Sequence, residues 1–247
     1  MSGLDWLIAR PVAHRGLHDA ARRVMENTPS AFAAAVAANY AIECDLQITA
    51  DGEAMVHHDD VLGRLTDGTG RLDGMTSAQL RQVRFKTTTD RMISLGELCD
   101  LVAGRATLVI ELKCGRSGDD RLAARTAAVL SGYAGSAALM SFDPAQIAPL
   151  RRHAPHLTRG LVAEGPSSRA SAEDWVKGLR HTLGYVQEGI EARPQFLAYA
   201  VEDLPGVLPR MAHLCGMPVL TWTVRNAQQE RRAARWADQM IFEGFRP

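Results

Sequence analysis

The sequence predicts an α/β fold, a closed (β/α)8 TIM barrel with a small insertion after strand 2. Eight short apolar runs alternate with helix-like stretches along the 247 residues, which is the pattern of repeated β/α units. Single-domain α/β barrels have about this length. No glycine-rich dinucleotide-binding loop follows the first run, so an open doubly wound sheet is disfavoured. We therefore expect one barrel domain spanning residues 1–247.

The predicted strands are runs rich in Val, Ile or Leu, bounded by polar residues or glycine. They begin near Pro11, Ala41, Thr107, Ala137, Thr158, Phe196, Pro218 and Asp238. The helix-like stretches cover residues 27–38, 94–102, 119–130, 144–152, 204–214 and 226–236, with a further stretch around 175–188. Asn27, Ser94 and Asn226 are candidate N-caps, and Glu97 is spaced to complete a capping box with Ser94.

The spacing of the strands places the insertion. Strands 2 and 3 begin 66 residues apart, at Ala41 and Thr107, whereas other consecutive strands begin 20 to 38 residues apart. We expect residues 51–93 to form a small excursion on top of the barrel. Residues 165–195 are a second, less regular insertion. Little chain follows strand 8, so the eighth outer helix is either missing or supplied by the segment around Trp6.

Composition and charge disfavour several kinds of partner and location. The 28 basic and 28 acidic residues give zero formal charge, so no overall field attracts nucleic acid or an anionic membrane. The apolar stretch at the start is too short for a signal peptide, and no window approaches the roughly 20 apolar residues of a membrane span. The sequence therefore predicts a cytoplasmic protein. Its cysteines are predicted to be reduced core thiols; they are Cys44, Cys99, Cys114 and Cys215.

Three carboxylates are predicted to converge at the mouth of the barrel. Glu43 and Asp45 lie two apart on strand 2, as do Glu111 and Lys113 on strand 3, so each pair points to one face. Buried ionised carboxylates repel one another unless a cation joins them. All-oxygen ligation favours Mg²⁺, Mn²⁺ or Ca²⁺ over zinc. The alternative is a buried ion-pair network of the three carboxylates with Arg15 and Lys113.

Histidines and cations surround this predicted cluster. Strand 1 ends in His14 and Arg15, and the insertion contributes the adjacent His57 and His58. His14 and one histidine of the 57–58 pair are candidates for general acid and base, because imidazole titrates near neutral pH. Arg15 and Lys113 add the positive charge that suits a phosphate ester. The combination predicts phosphodiester cleavage.

Other polar and aromatic residues at the strand ends are weaker candidates. Trp222, near the end of strand 7, is a candidate to line the mouth and pack on the apolar part of a substrate; the alternative is a plain core residue. Glu243, after strand 8, and residues 141–143, after strand 4, are interpreted as structural. His18 has no predicted partner and is interpreted as a surface or helix residue.

Several short motifs occur along the chain in a fixed order. They are Ala13-His14-Arg15-Gly16, Glu26-Asn27-Thr28, Glu43-Cys44-Asp45, His58-Asp59 followed by Leu62, Arg64, Thr66 and Gly68-Thr69-Gly70, Ile110-Glu111-Leu112-Lys113, Ser141-Phe142 and Trp222-Thr223-Val224. Each motif alone is weak evidence. In this order they resemble the glycerophosphodiester phosphodiesterase family, related to the phosphatidylinositol phospholipases C, and the resemblance covers essentially the whole chain.

The resemblance implies a bound divalent cation and a reaction. The cation, Ca²⁺ or Mg²⁺, is held by carboxylates matching Glu43, Asp45 and Glu111. The substrate is a small-molecule glycerophosphodiester, hydrolysed to glycerol 3-phosphate and an alcohol. Attack by a hydroxyl of the substrate, through a cyclic phosphate, is a variant of this reaction.

The resemblance also assigns the remaining site residues. It places His58, rather than His57, at the catalytic position, where it exchanges protons with the reacting oxygens together with His14. Arg15 and Lys113 match residues that meet the phosphate. Three differences from the family pattern lie near the mouth: His57 stands where a large apolar residue is usual, Arg225 stands where Asn is frequent, and residues 241–247 replace an ending with Thr-Asp before Arg-Pro.

Two other functions are compatible with these residues. The same machinery could act on lysophospholipids as a lysophospholipase D, which would need an apolar groove at the mouth for an acyl chain. A non-catalytic barrel that binds phosphodiesters would need a broken acid–base pair, whereas His14 and His58 are both present. The pattern carries no signal for an oligomeric state.

Overall fold

The eight predicted strands are all present and close into a parallel barrel. The computed structural model describes residues 3–113, 119–165, 189 and 191–247. The strands are β1 (Val12–Ala13), β2 (Ala41–Ile48), β3 (Ala54–Val56), β4 (Leu108–Leu112), β5 (Ala137–Ser141), β6 (Thr158–Ala163), β7 (Phe196–Ala200), β8 (Val219–Val224) and β9 (Gln239–Phe242). The barrel closes because β1 pairs in parallel with both β2 and β9. The ninth strand, β3, lies antiparallel on β2, outside the barrel cycle.

Side chains alternate between the inside of the barrel and its helical shell, as the spacing predicts. Ile42 and Cys44 belong to the apolar cluster that also contains helix residues such as Phe32. A separate inner cluster includes Val109 and Phe196. Residues of odd number on β2 therefore face inwards, toward the axis of the barrel.

Most of the predicted helices are present. They are α2 (Pro29–Ala37), α4 (Leu95–Val102), α5 (Arg121–Leu130), α8 (Val207–Leu214) and α9 (Ala227–Trp236), whereas the predicted helix 144–152 is divided into α6 (Pro144–Ile147) and α7 (Leu150–His153). Two short helices were not predicted, α1 (Asp5–Ile8) and α3 (Ser77–Leu80). The predicted stretch around 175–188 and most of the insertion 165–195 lie outside the described residues.

Helix capping was predicted correctly at two of three positions. Ser94 forms the expected capping box with Glu97, and the side chain of Asn226 accepts bonds from the first turn of α9. The prediction for Asn27 was wrong, because the hydroxyl of Thr28 caps α2 instead. Asn27 has a left-handed backbone conformation, with φ 55°, and its side chain does not cap the helix.

The N-terminal helix does not replace the missing outer helix. Leu7 of α1 is fully buried in the inner cluster together with Val12 and Phe196. The side chain of Gln239, the first residue of β9, donates to the carbonyl of Ile8. Helix α1 therefore packs against the interior at the N-terminal end of the strands. In the described part of the chain, no helix follows β9.

The predicted excursion after β2 is a small unit with its own core. Strand β3 pairs with β2, and Leu46 lies opposite Val56. The core of the excursion consists of Met55, Leu62, Leu72, Leu80, Phe85 and Met92. The backbone N–H of His57 donates to the carbonyl of Asp45. The chain that follows β3 is thereby attached directly to the mouth of the barrel.

The described cysteines differ in their burial. Cys44 and Cys99 are buried thiols, as predicted. The prediction was wrong for Cys215, which is exposed because it caps the C-terminal end of α8 on the outside of the barrel. Cys114 lies outside the described residues. Among the helices of the described residues, none combines the length and the apolar character that crossing a membrane requires.

Candidate active site

The three predicted carboxylates converge at the mouth of the barrel. Parallel pairing of β2 with β4 sets Asp45 opposite Glu111, and Glu43 lies one inward position earlier on β2. One carboxylate oxygen from each residue lies within 4.8 Å of the others. Glu43 and Asp45 are each only 1% exposed, and Glu111 is buried as well. Three acidic groups therefore share one desolvated space.

Burial and mutual repulsion affect the three carboxyl groups differently. Burial, followed by repulsion from Asp45 and Glu111, holds the pKa of Glu43 well above its usual range. Burial and the neighbouring Asp45 raise the pKa of Glu111 to about 7. Burial acts in the same direction on Asp45, but Lys113 and Arg15 outweigh it and hold the pKa of that carboxyl well below its usual range. Asp45 is thus the most firmly ionised of the three.

The ion-pair network offered by the sequence is present. Lys113 Nζ lies 2.8 Å from Asp45 Oδ1 and 2.6 Å from Glu111 Oε1. Arg15 Nε lies 3.3 Å from Asp45 Oδ2, and its Nη1 donates to Glu26 Oε1 at 2.6 Å. Both predicted phosphate-binding side chains are therefore at the mouth, and both contact carboxylates there.

Among the described residues, the network leaves one oxygen of Glu43 with neither a hydrogen bond nor an ion pair. Glu43 Oε2 accepts a hydrogen bond from the backbone N–H of Arg15 at 2.8 Å. Glu43 Oε1 is buried and has no hydrogen-bond partner among the described residues. A buried, unpartnered carboxylate oxygen is costly unless a cation meets it. The donor set, all carboxylate oxygen, matches the preference of a hard divalent cation, so the residues fit such an ion.

His14 is held between two carboxylates. It follows β1 directly, and its Nδ1 lies 2.5 Å from Glu243 Oε2. Its Nε2 lies 3.9 Å from Glu43 Oε2. Burial lowers the pKa of His14, and the hydrogen bond to Glu243 opposes that effect in part. The imidazole therefore presents Nε2 toward the carboxylate cluster.

His58 has a similar arrangement on the insertion. Its Nδ1 lies 2.8 Å from Asp59 Oδ1, and Arg64 Nε donates to Asp59 Oδ2 at 2.6 Å. Burial alone would raise the pKa of Asp59. The hydrogen bonds from Arg64 and His58 together outweigh burial and lower this pKa to about 2. Arg64 also bonds Glu26, the partner of Arg15. Polar contacts thus connect the insertion with the end of β1.

The adjacent histidines occupy different environments. His58 borders the cavity at the mouth of the barrel. His57 is only 2% exposed and is not among the residues that border this cavity. Burial lowers the pKa of His57, which favours its neutral form. Of the two, His58 is the histidine that a ligand in the cavity could reach.

The cavity above the carboxylates is small and has one apolar wall. Its volume is about 260 Å³. Trp222 packs edge-to-face on Phe142, with ring centroids 5.4 Å apart. Met140, Val162 and Ile241 complete the apolar lining. Trp222 therefore lines the mouth, which was one of the two alternatives for this residue, and Phe142 lies beside it.

Sequence reasoning assigned no role in the site to several residues that complete it. Asn27 Nδ2 donates to Asp45 Oδ2 at 2.8 Å, and the amide of Asp45 donates back to Asn27 Oδ1 at 3.3 Å. Glu26, Asp59 and Arg64 are the other members of the hydrogen-bonded network. These four residues lie within the short motifs that resemble the family, and that position was the sequence signal that could have indicated a role in the site. Glu243 lies outside every quoted motif.

Comparisons with known proteins agree with this geometry. The model of the glycerophosphoryl diester phosphodiesterase family matches residues 14–245. A glycerophosphodiester phosphodiesterase from Caldanaerobacter subterraneus subsp. tengcongensis is 26% identical over 244 residues, covering 93% of this chain and 92% of that protein. Glycerophosphodiester phosphodiesterase 1 from Bos taurus is 45% identical over 74 residues, covering 29% of this chain and 21% of that protein.

Solved structures show the same barrel. A phosphodiesterase from Oleispira antarctica, in complex with the product sn-glycerol-3-phosphate, has a TM-score of 0.76 at 20% identity and covers 94% of this chain and 91% of that chain. A glycerophosphodiester phosphodiesterase from Parabacteroides distasonis has a TM-score of 0.75 at 17% identity and covers 94% of this chain and 92% of that chain. At these identities the likeness shows the shared fold.

Removing the side chain of Asn27 tests how the carboxylates are held. We expect Asn27→Ala to lower the free energy of unfolding by about 1–3 kcal/mol more than Asn39→Ala does, because Asp45 loses a buried hydrogen-bond partner. Asn39 is a matched control, since it is exposed and also has positive φ, 64°. Denaturant unfolding of both variants measures the difference. Equal losses of stability would show that the bond to Asp45 contributes nothing.

Proposed function

This chain belongs to the glycerophosphoryl diester phosphodiesterase family, and we propose that it hydrolyses glycerophosphodiesters to glycerol 3-phosphate and an alcohol, using one divalent cation and two histidines. As a member of this family the protein is a phosphoric diester hydrolase. One observation carries the finer proposal: two carboxylates of the buried cluster, Glu43 and Glu111, border one small cavity together with the imidazoles of His14 and His58. The Oleispira antarctica neighbour, solved with sn-glycerol-3-phosphate, supports the same product.

The carboxylate cluster is the proposed cation site. Glu43, Asp45 and Glu111 would hold Mg²⁺ or Ca²⁺, with Mn²⁺ as a third candidate. When bound, such an ion supplies positive charge that polarises the phosphoryl group. The unpartnered Oε1 of Glu43 supports this assignment. A cation there would also offset the burial and the mutual repulsion that raise the pKa values of Glu43 and Glu111.

The two histidines are the proposed acid–base pair. In each, Nδ1 is next to a carboxylate, Glu243 for His14 and Asp59 for His58, so Nε2 is the nitrogen left for the substrate. One imidazole accepts a proton from the attacking oxygen, and the other donates a proton to the leaving oxygen. The attacking oxygen belongs to water in direct hydrolysis and to a substrate hydroxyl in the cyclic variant.

The side chains around the cavity suit a small phosphodiester. Arg15 and Lys113 would bind the nonbridging oxygens of the phosphate, where negative charge develops in the transition state. Trp222 and Phe142 would pack against the carbon atoms of the substrate. The larger apolar cavity of the described residues, about 420 Å³, shares no lining residue with the site. Among the described residues, this contrast favours glycerophosphodiesters over lysophospholipids.

Loss of either histidine should abolish most of the activity while the fold is kept. We expect His14→Ala and His58→Ala each to lower kcat by about 10² or more. The measurement is release of glycerol 3-phosphate from glycerophosphodiesters with different head groups, with lysophospholipids in parallel. His213→Ala is a matched control, because His213 also bonds a carboxylate, that of Asp238, at an exposed position.

The same assay separates the rival functions. Full activity in His14→Ala or His58→Ala would remove that residue from the acid–base pair. Cleavage of the acylated substrates alone would identify a lysophospholipase D. Absence of cleavage of every substrate, with each of the three cations supplied, would contradict the proposed reaction.

Activity should depend on a cation held by Glu43. We expect chelation with EDTA to abolish hydrolysis and Mg²⁺, Ca²⁺ or Mn²⁺ to restore it. Glu43→Gln should need a cation concentration at least about tenfold higher for half-maximal activity, since one charged oxygen ligand is lost. Glu202→Gln, which changes an exposed carboxylate paired with Arg232, should behave as the unchanged protein. An EDTA response identical in all three proteins would exclude Glu43 as a ligand.

A further inference from the structure

Three neighbouring strand ends bring together residues that the sequence separates. Strand β9 lies between β1 and β8, and its Phe242 pairs with Ala13 on one side and Val224 on the other. The next residue on each strand is His14, Glu243 or Arg225. The backbone N–H of His14 donates to Phe242, and that of Glu243 donates to Val224. The barrel itself therefore sets Glu243 between an imidazole and a guanidinium.

The carboxylate of Glu243 uses its two oxygens for different partners. Oε2 lies 2.5 Å from His14 Nδ1, and Oε1 accepts a hydrogen bond from Arg225 Nε at 2.6 Å. His18 Nε2 lies 3.6 Å from Oε2. Burial raises the pKa of Glu243, but the hydrogen bonds from His14 and Arg225 and the nearby His18 outweigh it and lower that pKa far below the usual range. An ionised carboxylate only accepts hydrogen bonds.

We propose that Glu243 is a positioning residue for His14: it accepts the Nδ1–H bond, fixes the imidazole in that tautomer and orientation, and so presents Nε2 to the cavity. Arg225 holds the carboxylate in place through the second oxygen. This inference rests on the proposed function, since it concerns how His14 is made ready for proton transfer. Among the described residues, Glu243 neither borders the cavity nor contributes an oxygen to the candidate cation site, so its effect on the reaction would pass through His14.

The other histidine of the cavity supports this assignment independently. His58 Nδ1 contacts Asp59, and Arg64 bonds the second oxygen of that carboxylate. The same three-part arrangement of imidazole, carboxylate and arginine thus occurs twice at one cavity, built on unrelated segments of the chain. A carboxylate on Nδ1 is a general way to set which nitrogen of a histidine is free.

A merely structural role for Glu243 is a weaker account of these contacts. Strand β9 ends at Phe242, one residue earlier. The ion pair with Arg225 is partly exposed, 54% for the side chain of the arginine, and such pairs contribute little to stability. The contact with His14 is the shorter and more buried of the two interactions. The clearest consequence of this contact is therefore the tautomer and the orientation of the His14 imidazole.

The test compares Glu243→Ala and Glu243→Gln with Glu202→Gln as the control. The first readout is the ¹⁵N NMR signature of the His14 ring, recorded at mildly alkaline pH, where imidazoles are neutral, and assigned with His14→Ala. We expect Nδ1 to carry the proton in the unchanged protein and in the control. Glu243→Gln keeps an acceptor and should retain this tautomer, whereas Glu243→Ala should show a mixture of both tautomers.

The second readout is steady-state hydrolysis of a glycerophosphodiester. We expect kcat of Glu243→Ala to fall at least about tenfold, with KM within about twofold and the unfolding temperature unchanged, because only the preparation of His14 is lost. Glu243→Gln should recover part of kcat. A rise in KM with unchanged kcat would overturn the proposal, because it would assign Glu243 to substrate binding.

The two readouts distinguish failure of this inference from failure of the proposed function. An unchanged His14 tautomer in Glu243→Ala overturns the positioning role, whatever the activity. Full activity of Glu243→Ala beside an inactive His14→Ala overturns it as well. A mixed tautomer in Glu243→Ala with full activity in both alanine variants supports the placement of the ring by Glu243 and overturns instead the catalytic role of His14.

Discussion

Three ionisable carboxyl groups buried at one end of a barrel are the constraint on which the rest of the site depends. Glu43, Asp45 and Glu111 are brought together by the register of β2 and β4, and burial makes their charges costly. Lys113 and Arg15 compensate Asp45 most strongly. These two positively charged side chains cannot compensate all three carboxylates, and Glu43 Oε1 has no hydrogen-bond partner within the described residues. A divalent cation would complete this balance of charge.

The same constraint explains the neighbouring elements. The side-chain amide of Asn27 and the backbone N–H of Arg15 each donate a hydrogen bond to one of the buried carboxylates. The insertion is attached to Asp45 through the backbone of His57 and carries His58 to the edge of the cavity. The barrel supplies the opposite edge through His14 and Glu243. The two proposed acid–base groups therefore approach the carboxylate cluster from two directions, and each has a carboxylate next to its Nδ1.

Periodicity predicted the parts of the structure that depend on local pattern. The starts of all eight barrel strands, the excursion 51–93 and the inward direction of Glu43 and Asp45 follow from apolar runs and alternation. Capping chemistry could not separate Asn27 from Thr28, since both side chains are good N-caps; the contact with Asp45 is tertiary. The apolar face of α1 gave no sign of whether it packs inside or outside the barrel.

Side-chain contacts between the neighbouring strands β8, β9 and β1 could not be predicted from the sequence. Arg225 and the segment around Glu243 were visible only as two separate differences from the family pattern, and the structure shows them to be bonded to each other. His18, without a predicted partner, lies beside the same carboxylate. The sequence placed Glu243 at the level of the mouth, and a closed barrel makes its strand a neighbour of β1. The contact between the side chains of Glu243 and His14 depends on strand register and side-chain rotamers, which an apolar pattern does not define.

The central claim is that the buried carboxylates form a cation site, and calorimetric titration of the metal-free protein with Mg²⁺, Ca²⁺ and Mn²⁺ tests it most directly, without any substrate. The account predicts that at least one of these ions binds with a stoichiometry of about one and raises the unfolding temperature, as a ligand of the native state must. No heat of binding and no change in unfolding temperature with any of the three would contradict it, and would leave the ion pairs of Lys113 and Arg15 as the whole of the charge compensation.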